Sequence, residues 1–134
     1  MYTHIVQYYE TDQMGITHHS NYIRWMEEAR VDFLERIGHS YAVMEEKGVI
    51  SPVVSVSCSY KNSTTFSDHV EIEVKVKEIG AARLTLSYVM TCHGKTVAEA
   101  ESVHCFLNRE GRPFKIARDL PEFVAALTED DQSV

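Results

Sequence analysis

One segment of the chain, residues 20–37, repeats apolar residues at helical spacing over its whole length. The apolar positions are Tyr22, Trp25, Met26, Ala29, Phe33 and Ile37, and the polar positions opposite them are Arg24, Glu27, Glu28, Asp32, Glu35 and Arg36. This period predicts a long amphipathic helix, with Ser20 as its N-cap and Gly38 at its left-handed end. The rest of the chain must cover the apolar stripe. Trp25 and Phe33 should supply much of the core, because a buried aromatic side chain covers ~150–250 Å².

After Gly48 the period of the sequence becomes two, which is typical of half-buried strands. The alternating segments are residues 54–60, 70–77, 84–92 and 96–107, and the turn His93-Gly94-Lys95 separates the last two. Residues 2–9 mix β-branched and aromatic side chains and predict one more strand. Because the connections are short, we expect consecutive strands to be antiparallel neighbours that form a meander.

Two shorter helices complete the predicted elements. One spans residues 40–47 and stops at Gly48, and the other spans residues 119–127 and begins with a capping-box-like pair, Asp119 and Glu122. This order predicts an α+β fold in which the long helix lies across a mainly antiparallel sheet of about five strands. The length of 134 residues predicts a single domain, residues 1–134.

The composition excludes several classes of protein. The chain has 13 Lys and Arg against 20 Asp and Glu, a formal net charge of −7, which argues against nucleic-acid binding. It has neither an apolar stretch long enough for a membrane helix nor a signal peptide, so we expect a cytoplasmic protein without a membrane partner. The cysteines, Cys58, Cys92 and Cys105, lack Cys-x-x-Cys spacing and are expected to be reduced thiols.

The segment of residues 8–22, YYETDQMGITHHSNY, concentrates the residues that suit catalysis. Signatures of serine hydrolases, phosphate loops, zinc peptidases and dinucleotide folds are absent. The first backbone N–H groups of the long helix lack intrahelical partners and lie at its positive end, so they can bind a carbonyl oxygen that acquires negative charge. Asp12 could attack that carbonyl or activate water, and Gly15 allows a tight bend between them.

Simpler interpretations of the same residues stay open. Asp12 also fits a loop carboxylate that hydrogen-bonds its own backbone, and His19 fits an exposed residue before a helix. Because adjacent His18 and His19 should point apart and have no third ligand nearby, we predict no metal site, and we also predict no cofactor. We assign no role to the isolated histidines, which are His4, His39, His69, His93 and His104.

A basic segment, residues 109–118, reverses the acidic character of the chain. It contains Arg109, Arg112, Lys115 and Arg118, interrupted by Glu110. This segment suits either an anionic ligand, such as a phosphate tail, or a solvated turn.

The N-terminal motif resembles a known family. Tyr9-Glu10-Thr11-Asp12-Gln13-Met14-Gly15, followed by His19, Asn21-Tyr22 and Trp25-Met26-Glu27, resembles the motif of the 4-hydroxybenzoyl-CoA thioesterase-like branch of the hotdog-fold superfamily. The similarity continues through residues 53–60 and through the Gly111-Arg112-Pro113 turn with Lys115-Ile116, so it covers nearly the whole chain. The resemblance implies a hotdog fold and the hydrolysis of an acyl-CoA thioester.

The resemblance also implies roles for four residues. Asp12 becomes the catalytic carboxylate, as a nucleophile or as a general base. His19 falls where the family places the helix-start residue whose backbone N–H polarises the thioester carbonyl, and its imidazole is a further candidate for orienting substrate or water. Gly15 matches the loop glycine. Tyr22 matches the motif tyrosine, which we expect to pack structurally and to border the substrate.

The resemblance further implies a homo-oligomer, with a tetramer favoured over a dimer, in which strands pair across subunits and substrate enters at an interface. Arg112 and Lys115 would then contact the phosphates of coenzyme A, from the same or a neighbouring subunit. An acyl-thioester hydratase or dehydratase, with Asp12 and His19 as an acid–base pair, and a non-catalytic acyl-binding module remain alternatives. The acyl group stays open, and the charge of −7 favours coenzyme A over an acidic carrier protein.

Overall fold

Five strands and four α-helices make up the computed structural model, which describes residues 1–132 and side chains up to residue 129. In chain order these are β1 (Tyr2–Ile5), α1 (Ser20–Arg36), α2 (Tyr41–Glu46), β2 (Val53–Tyr60), β3 (His69–Ile79), β4 (Arg83–Cys92), β5 (Lys95–Cys105), α3 (Ile116–Asp119) and α4 (Pro121–Gln132). The predicted α+β hotdog architecture, one long helix against a five-stranded antiparallel sheet, is confirmed. Residues 133 and 134 of the predicted domain lie outside the described residues.

Helix α1 has the predicted apolar face but begins differently from the prediction. Trp25 and Phe33 are fully buried, and Gly38 has a φ of +81° after the helix ends. The expectation that Ser20 is the N-cap is wrong, because His19 occupies that position and Ser20 is the first helical residue. The Ser20 hydroxyl lies 2.9 Å from Nδ1 of His18, so it is engaged before the helix rather than with a helical N–H.

The sheet has the strand order β1-β3-β4-β5-β2, so only part of the predicted meander is correct. Strands β3, β4 and β5 are consecutive antiparallel neighbours. Strand β2 pairs with β5 instead of β3, with Val53 opposite His104 and Tyr60 opposite Ala98. The connection of residues 61–68 therefore carries the chain from one edge of the sheet towards the other, rather than turning it back.

Strand β2 is exposed, although its alternation predicts a half-buried strand. Every residue of β2 except the half-buried Cys58 is exposed. The cause is its place at the edge of the sheet: the core that covers α1 is built from β3, β4 and β5, through residues such as Ile72, Met90 and Ala98. Two apolar side chains of β2, Val56 and Tyr60, thus remain 37% and 46% exposed within one chain.

Both ends of the chain contain more secondary-structure elements than the sequence predicts. The strand expected over residues 2–9 ends at Ile5, and a short 3-10 helix follows at Tyr8–Glu10. The last helix is preceded by the separate α3, and the predicted Asp119–Glu122 capping box is wrong. Instead, the Asp119 carboxylate accepts the N–H of Lys115 at 2.8 Å, which caps α3.

The predicted second helix, which ends before Gly48, is confirmed. The Ser40 hydroxyl accepts the N–H of Val43 at 3.2 Å at the start of α2, and Gly48 follows the helix with a φ of +79°. The three cysteines are free thiols, with Cys92 buried.

None of the described helices is both long and apolar enough to cross a membrane.

Candidate active site

The loop between the 3-10 helix and α1 is closed at its base and carries Asp12. Thr11 and Thr17 form an isolated antiparallel bridge. Inside it, the N–H of Asp12 donates to the carbonyl of Ile16 at 2.9 Å, and the N–H of Gly15 donates back to the carbonyl of Asp12 at 2.9 Å. Gly15 has a φ of +80°, a conformation that favours glycine. The loop therefore holds Asp12 in a defined position just before α1.

The Asp12 carboxylate has one oxygen fixed and the other available. Oδ1 accepts the N–H of Met14 at 2.8 Å, which is the backbone contact expected of a simple loop carboxylate. Among the described residues no hydrogen bond reaches Oδ2. The side chain is half-buried. The local contact thus orients the carboxylate and leaves one oxygen for chemistry.

The backbone N–H of His19 has no acceptor among the described residues. The next N–H groups are occupied: Ser20 donates to Nδ1 of His18 at 3.3 Å, and Asn21 donates to the carbonyl of His18 at 3.1 Å. The unpaired donor therefore lies at the N-cap of α1, where the helix dipole is positive. The family resemblance predicts that this N–H polarises the thioester carbonyl.

The imidazoles of His18 and His19 stack, with ring centroids 4.4 Å apart, so the expectation that they point apart is wrong. His19 already has helical dihedral angles, which turn its side chain towards the preceding residue. Its ring is exposed and meets the ring of Tyr60 edge-on, with centroids 6.1 Å apart. The Tyr60 hydroxyl also donates to the carbonyl of His19 at 3.3 Å.

Residues 64 and 65 hydrogen-bond to the Asp12 loop, a role that the sequence does not predict. The carbonyl of Thr64 accepts the N–H of Thr17 at 2.9 Å, and the Thr65 hydroxyl donates to the carbonyl of Gly15 at 2.7 Å. The hydroxyls of Thr64 and Tyr22 lie 3.0 Å apart. These partners are 42 to 50 residues apart in the chain, and no local pattern signals such a contact.

Glu10 is a second carboxylate of the motif, and it is buried. Its carboxylate accepts hydrogen bonds from the N–H of Gln7, from Nε1 of Trp25 and from Nε2 of His4, each at 2.8 Å. Burial raises the pKa of the Glu10 carboxyl, but these three hydrogen bonds outweigh burial and lower its pKa below the ordinary value. The spacing of Gln7 and Glu10 is that of a capping pair, which is the signal that could have revealed this role.

Tyr22 is 3% exposed and packs against the rings of Trp25 and Tyr60, with centroids 4.6 and 5.2 Å away. Burial raises the pKa of its hydroxyl. The side chain is therefore part of the core beneath the loop. Whether it also borders the substrate stays a prediction.

Exposed apolar side chains flank the Asp12 loop. They are Tyr8, Tyr9, Met14, Tyr60 and Phe66, and Tyr8 meets Phe66 edge-on with ring centroids 5.6 Å apart. An uncovered cluster of this kind is typical of a binding surface for an apolar group or another chain.

The basic segment lies at the other end of β2 from Asp12. Isolated bridges from Leu107 to Ile50 and to Pro113 hold the segment beside the start of β2, whereas Tyr60, at the end of β2, contacts His19. At ~3.3 Å per residue the two ends of β2 are ~23 Å apart. Arg112 and Lys115 are both exposed. A single chain therefore does not bring them to the Asp12 loop.

Among the described residues one group of three could offer ligands to a metal: Asp68, Cys92 and His93, whose ligand atoms lie within 4.8 Å of one another. Burial and the Asp68 carboxylate raise the pKa of the Cys92 thiol, which disfavours the thiolate that a metal requires. The absence of a metal site stays a prediction.

Comparisons with known proteins extend over almost the whole chain. The family model of the thioesterase-like superfamily matches residues 6–127. A relative in Aquifex aeolicus named "Putative esterase" is 34% identical over 91% of this chain and 94% of its own length. A Bacillus subtilis relative named "Putative acyl-CoA thioesterase YneP" is 32% identical over 90% of this chain and 89% of its own. The solved structure of a DHNA-CoA thioesterase from Staphylococcus aureus is 28% identical with a TM-score of 0.88, covering 98% of this chain and 89% of that chain.

Proposed function

The chain belongs to the thioesterase-like superfamily and is an acyl-CoA thioesterase, and we propose that Asp12 is the carboxylate on which hydrolysis depends. The products are a free acid and the thiol of coenzyme A. The backbone N–H of His19 binds the carbonyl oxygen as it gains negative charge.

One observation supports this assignment: Oδ2 of Asp12 and the N–H of His19, the two groups that the reaction needs, both lack partners among the described residues. The neighbouring Oδ1 of Asp12 and the N–H of Ser20 are hydrogen-bonded. His19 is exposed and the Asp12 side chain is half-buried, so both unpaired groups are accessible to a ligand. An aligned N–H at a developing oxyanion contributes a factor of ~10²–10³ in rate.

The carboxylate can act in two ways with the same geometry. As a general base, Oδ2 takes a proton from water, whose oxygen attacks the carbonyl carbon, and the tetrahedral intermediate expels the thiolate. As a nucleophile, Oδ2 attacks the carbonyl carbon itself, the thiolate leaves, and water hydrolyses the resulting anhydride. Both routes require an ionised Asp12. In both, the fixed Oδ1 limits the rotation of the side chain.

The exposed β2 edge supports assembly with a second copy of the chain. An edge strand with apolar side chains presents unpaired N–H and C=O groups that another strand can use. We therefore propose a homo-oligomer in which the β2 strands of two subunits pair antiparallel about a two-fold axis, as the building block of a dimer or tetramer. A continuous sheet across the two chains would cover Val56 and Tyr60.

This pairing also assigns the basic segment to the neighbouring subunit. In an antiparallel pair, the start of one β2 lies beside the end of the other. The segment near the start of β2 in one subunit then approaches Tyr60, and with it the Asp12 loop, of the other. Arg112 and Lys115 would thus contact the phosphates of a coenzyme A whose thioester lies at the other subunit's Asp12.

The proposal is tested with a panel of aromatic, short-chain and long-chain acyl-CoA substrates, assayed both for released thiol and for all products. Hydrolysis yields one free thiol per acid formed. A hydratase changes the acyl chain without releasing thiol, and a binding module releases nothing while still binding substrate. Either of these outcomes, in protein shown to be folded, would overturn the proposal. The cytoplasmic location expected from the sequence remains a prediction.

A further inference from the structure

Arg30 is a buried arginine without an acidic partner, and it lies away from the Asp12 loop. Its side chain is on the covered face of α1, and the residue is 7% exposed. Its hydrogen-bond partners are hydroxyls: Nε donates to Tyr41 at 2.8 Å, and Nη1 donates to Tyr88 at 3.2 Å. None of the ion pairs among the described residues includes Arg30. A buried positive charge without a counter-ion is costly.

A chain of hydrogen bonds leads from Arg30 to His104. The Tyr88 hydroxyl lies 2.6 Å from the Ser102 hydroxyl, which in turn lies 2.7 Å from Nε2 of His104. Because Arg30 donates to Tyr88, the Tyr88 proton points to Ser102 and the Ser102 proton points to Nε2. Every hydroxyl proton then has an acceptor. Nε2 of His104 is therefore the acceptor, and the proton of the neutral ring is on Nδ1.

Nδ1 of His104 is a donor without an acceptor. His104 is 2% exposed, and this nitrogen is the buried side-chain atom that has no hydrogen-bond partner among the described residues. Burial and the positive charge of Arg30 lower the pKa of His104 to about 4, so the ring is neutral at pH 7. The Arg30 guanidinium is therefore the charged group of this hydrogen-bond network.

A small cavity joins the two residues. Four polar residues, Arg30, Tyr41, Ser51 and His104, contribute to its lining, and the other lining side chains, including Leu84 and Phe123, are apolar. Its volume of about 10 Å³ suits one occupant of the size of a water molecule or a single ion. The Tyr41 oxygen accepts from Arg30, so its own proton is free to be donated.

We propose that this cavity is a binding site for one monatomic anion, a halide such as chloride, held by the Arg30 guanidinium, Nδ1 of His104 and the Tyr41 hydroxyl. An anion is favoured over water because the site offers donors and an uncompensated positive charge. Water would bring its own protons towards these donors, whereas a halide only accepts. The small volume excludes carboxylates and phosphates.

The site is independent of the proposed catalytic loop. Arg30 follows His19 by eleven positions along one helix, which is ~17 Å at ~1.5 Å per residue. The anion would compensate the positive charge of Arg30 in the core and link α1 to α2 and the sheet. Its loss should therefore lower stability, and the thioesterase assignment does not depend on it.

The first test is diffraction from crystals of the wild-type chain grown in bromide, measured at the bromine edge. The proposal predicts an anomalous peak between Arg30 and Nδ1 of His104. A water molecule there, without anomalous signal, would overturn the proposal.

The second test measures Tm at constant ionic strength while chloride replaces gluconate, which is too large for the cavity. We expect saturable stabilisation on the order of 4 °C, because a ligand that binds only the folded state raises Tm with its concentration. Arg30→Gln should abolish this dependence, and the exposed Arg24→Gln should retain it. Equal Tm values for the wild type in the two salts would contradict the proposal. If Arg30→Gln does not fold, the bromide experiment and the wild-type titration decide.

Discussion

The backbone N–H of His18 donates a 2.8 Å hydrogen bond to the carbonyl of Glu10, across the loop that carries Asp12. The same carbonyl accepts Nδ2 of Asn21 at 3.0 Å, and the Glu10 side chain is fixed by Trp25 in the core. Glu10 thus connects the base of the loop, the first turn of α1 and the core. The geometry of the proposed catalytic loop therefore depends on a buried carboxylate that is hydrogen-bonded within the core.

Glu10→Gln should destabilise the fold by about 1–3 kcal/mol, because a carboxamide turns an NH₂ group towards donors that now find a carboxylate. The lowered pKa of Glu10 sets the sign of the pH dependence. Its contribution to stability is fully present above its ordinary pKa of 4.5 and is lost as pH falls through the lower folded value. Urea unfolding of wild type and variant between pH 3 and pH 7 measures both effects.

In that experiment the difference in the free energy of unfolding between wild type and Glu10→Gln should shrink as the pH falls below about 4.5. Glu27→Gln, an exposed glutamate on α1, is the matched control and should change stability by less than about 0.5 kcal/mol. A difference that grows on acidification would contradict the role assigned to Glu10.

Two substitutions at His19 separate its backbone from its side chain. His19→Ala keeps the N–H and should retain activity within about tenfold. His19→Pro removes the N–H, and the φ of −56° at this position is compatible with proline, so the helix should still form. We expect a loss of ~10²–10³ in kcat from the proline variant, measured as thiol release.

If His19→Ala loses more activity than His19→Pro, the imidazole and not the backbone N–H has the main role. A loss of ~10²–10⁴ in His19→Ala is the effect expected of a general acid or base. Circular dichroism of both variants checks that α1 is intact.

The sequence predicts those elements whose patterns are local. Helix α1 and the β4–β5 hairpin follow from spacing and from a turn, His93-Gly94, in which both residues have positive φ. The pairing of β2 with β5 was missed because it joins residues 38 to 51 positions apart, and alternation alone does not say which strand is the neighbour. The exposure of β2 follows from that same missed pairing.

The sequence predicts the proposed reactive groups of the candidate site but not the residues that support them. Asp12, Gly15 and His19 lie within one motif, so a resemblance over a short segment is enough to nominate them. Thr64 and Tyr60 reach the loop from more than 40 residues away and could not be predicted without the fold. Arg30 is polar, and no sequence pattern distinguishes it from the exposed arginines of α1.

Val56→Lys should convert the wild-type oligomer to a monomer, because a lysine on an edge strand opposes strand pairing. Light scattering after size-exclusion chromatography gives the mass of each. Ile5→Lys, on the opposite edge strand β1, is the control and should leave the mass unchanged. A wild-type chain that is monomeric at micromolar concentration would contradict the proposed pairing.

Replacing both Arg112 and Lys115 with glutamate should raise KM for acyl-CoA by about tenfold and leave kcat nearly unchanged, since the contacts would be to a part of the substrate that does not react. The wild-type KM should also rise with ionic strength. The charge control is Lys75→Glu combined with Lys77→Glu, two exposed positions on β3, because it removes the same number of positive charges and adds the same number of negative ones. An unchanged KM in the double variant would remove the basic segment from the substrate site.

We propose that hydrolysis depends on the Asp12 carboxylate, and Asp12→Asn is the most direct test of this dependence. The carboxamide oxygen can still accept the Met14 N–H that now binds Oδ1, so the loop should keep its shape while losing the base or nucleophile. Thiol release by wild type and variant is measured side by side, with correction for the three cysteines of the protein. We expect kcat to fall by ~10²–10⁴-fold in a variant with wild-type Tm. Wild-type turnover in the folded variant would show that hydrolysis does not depend on Asp12.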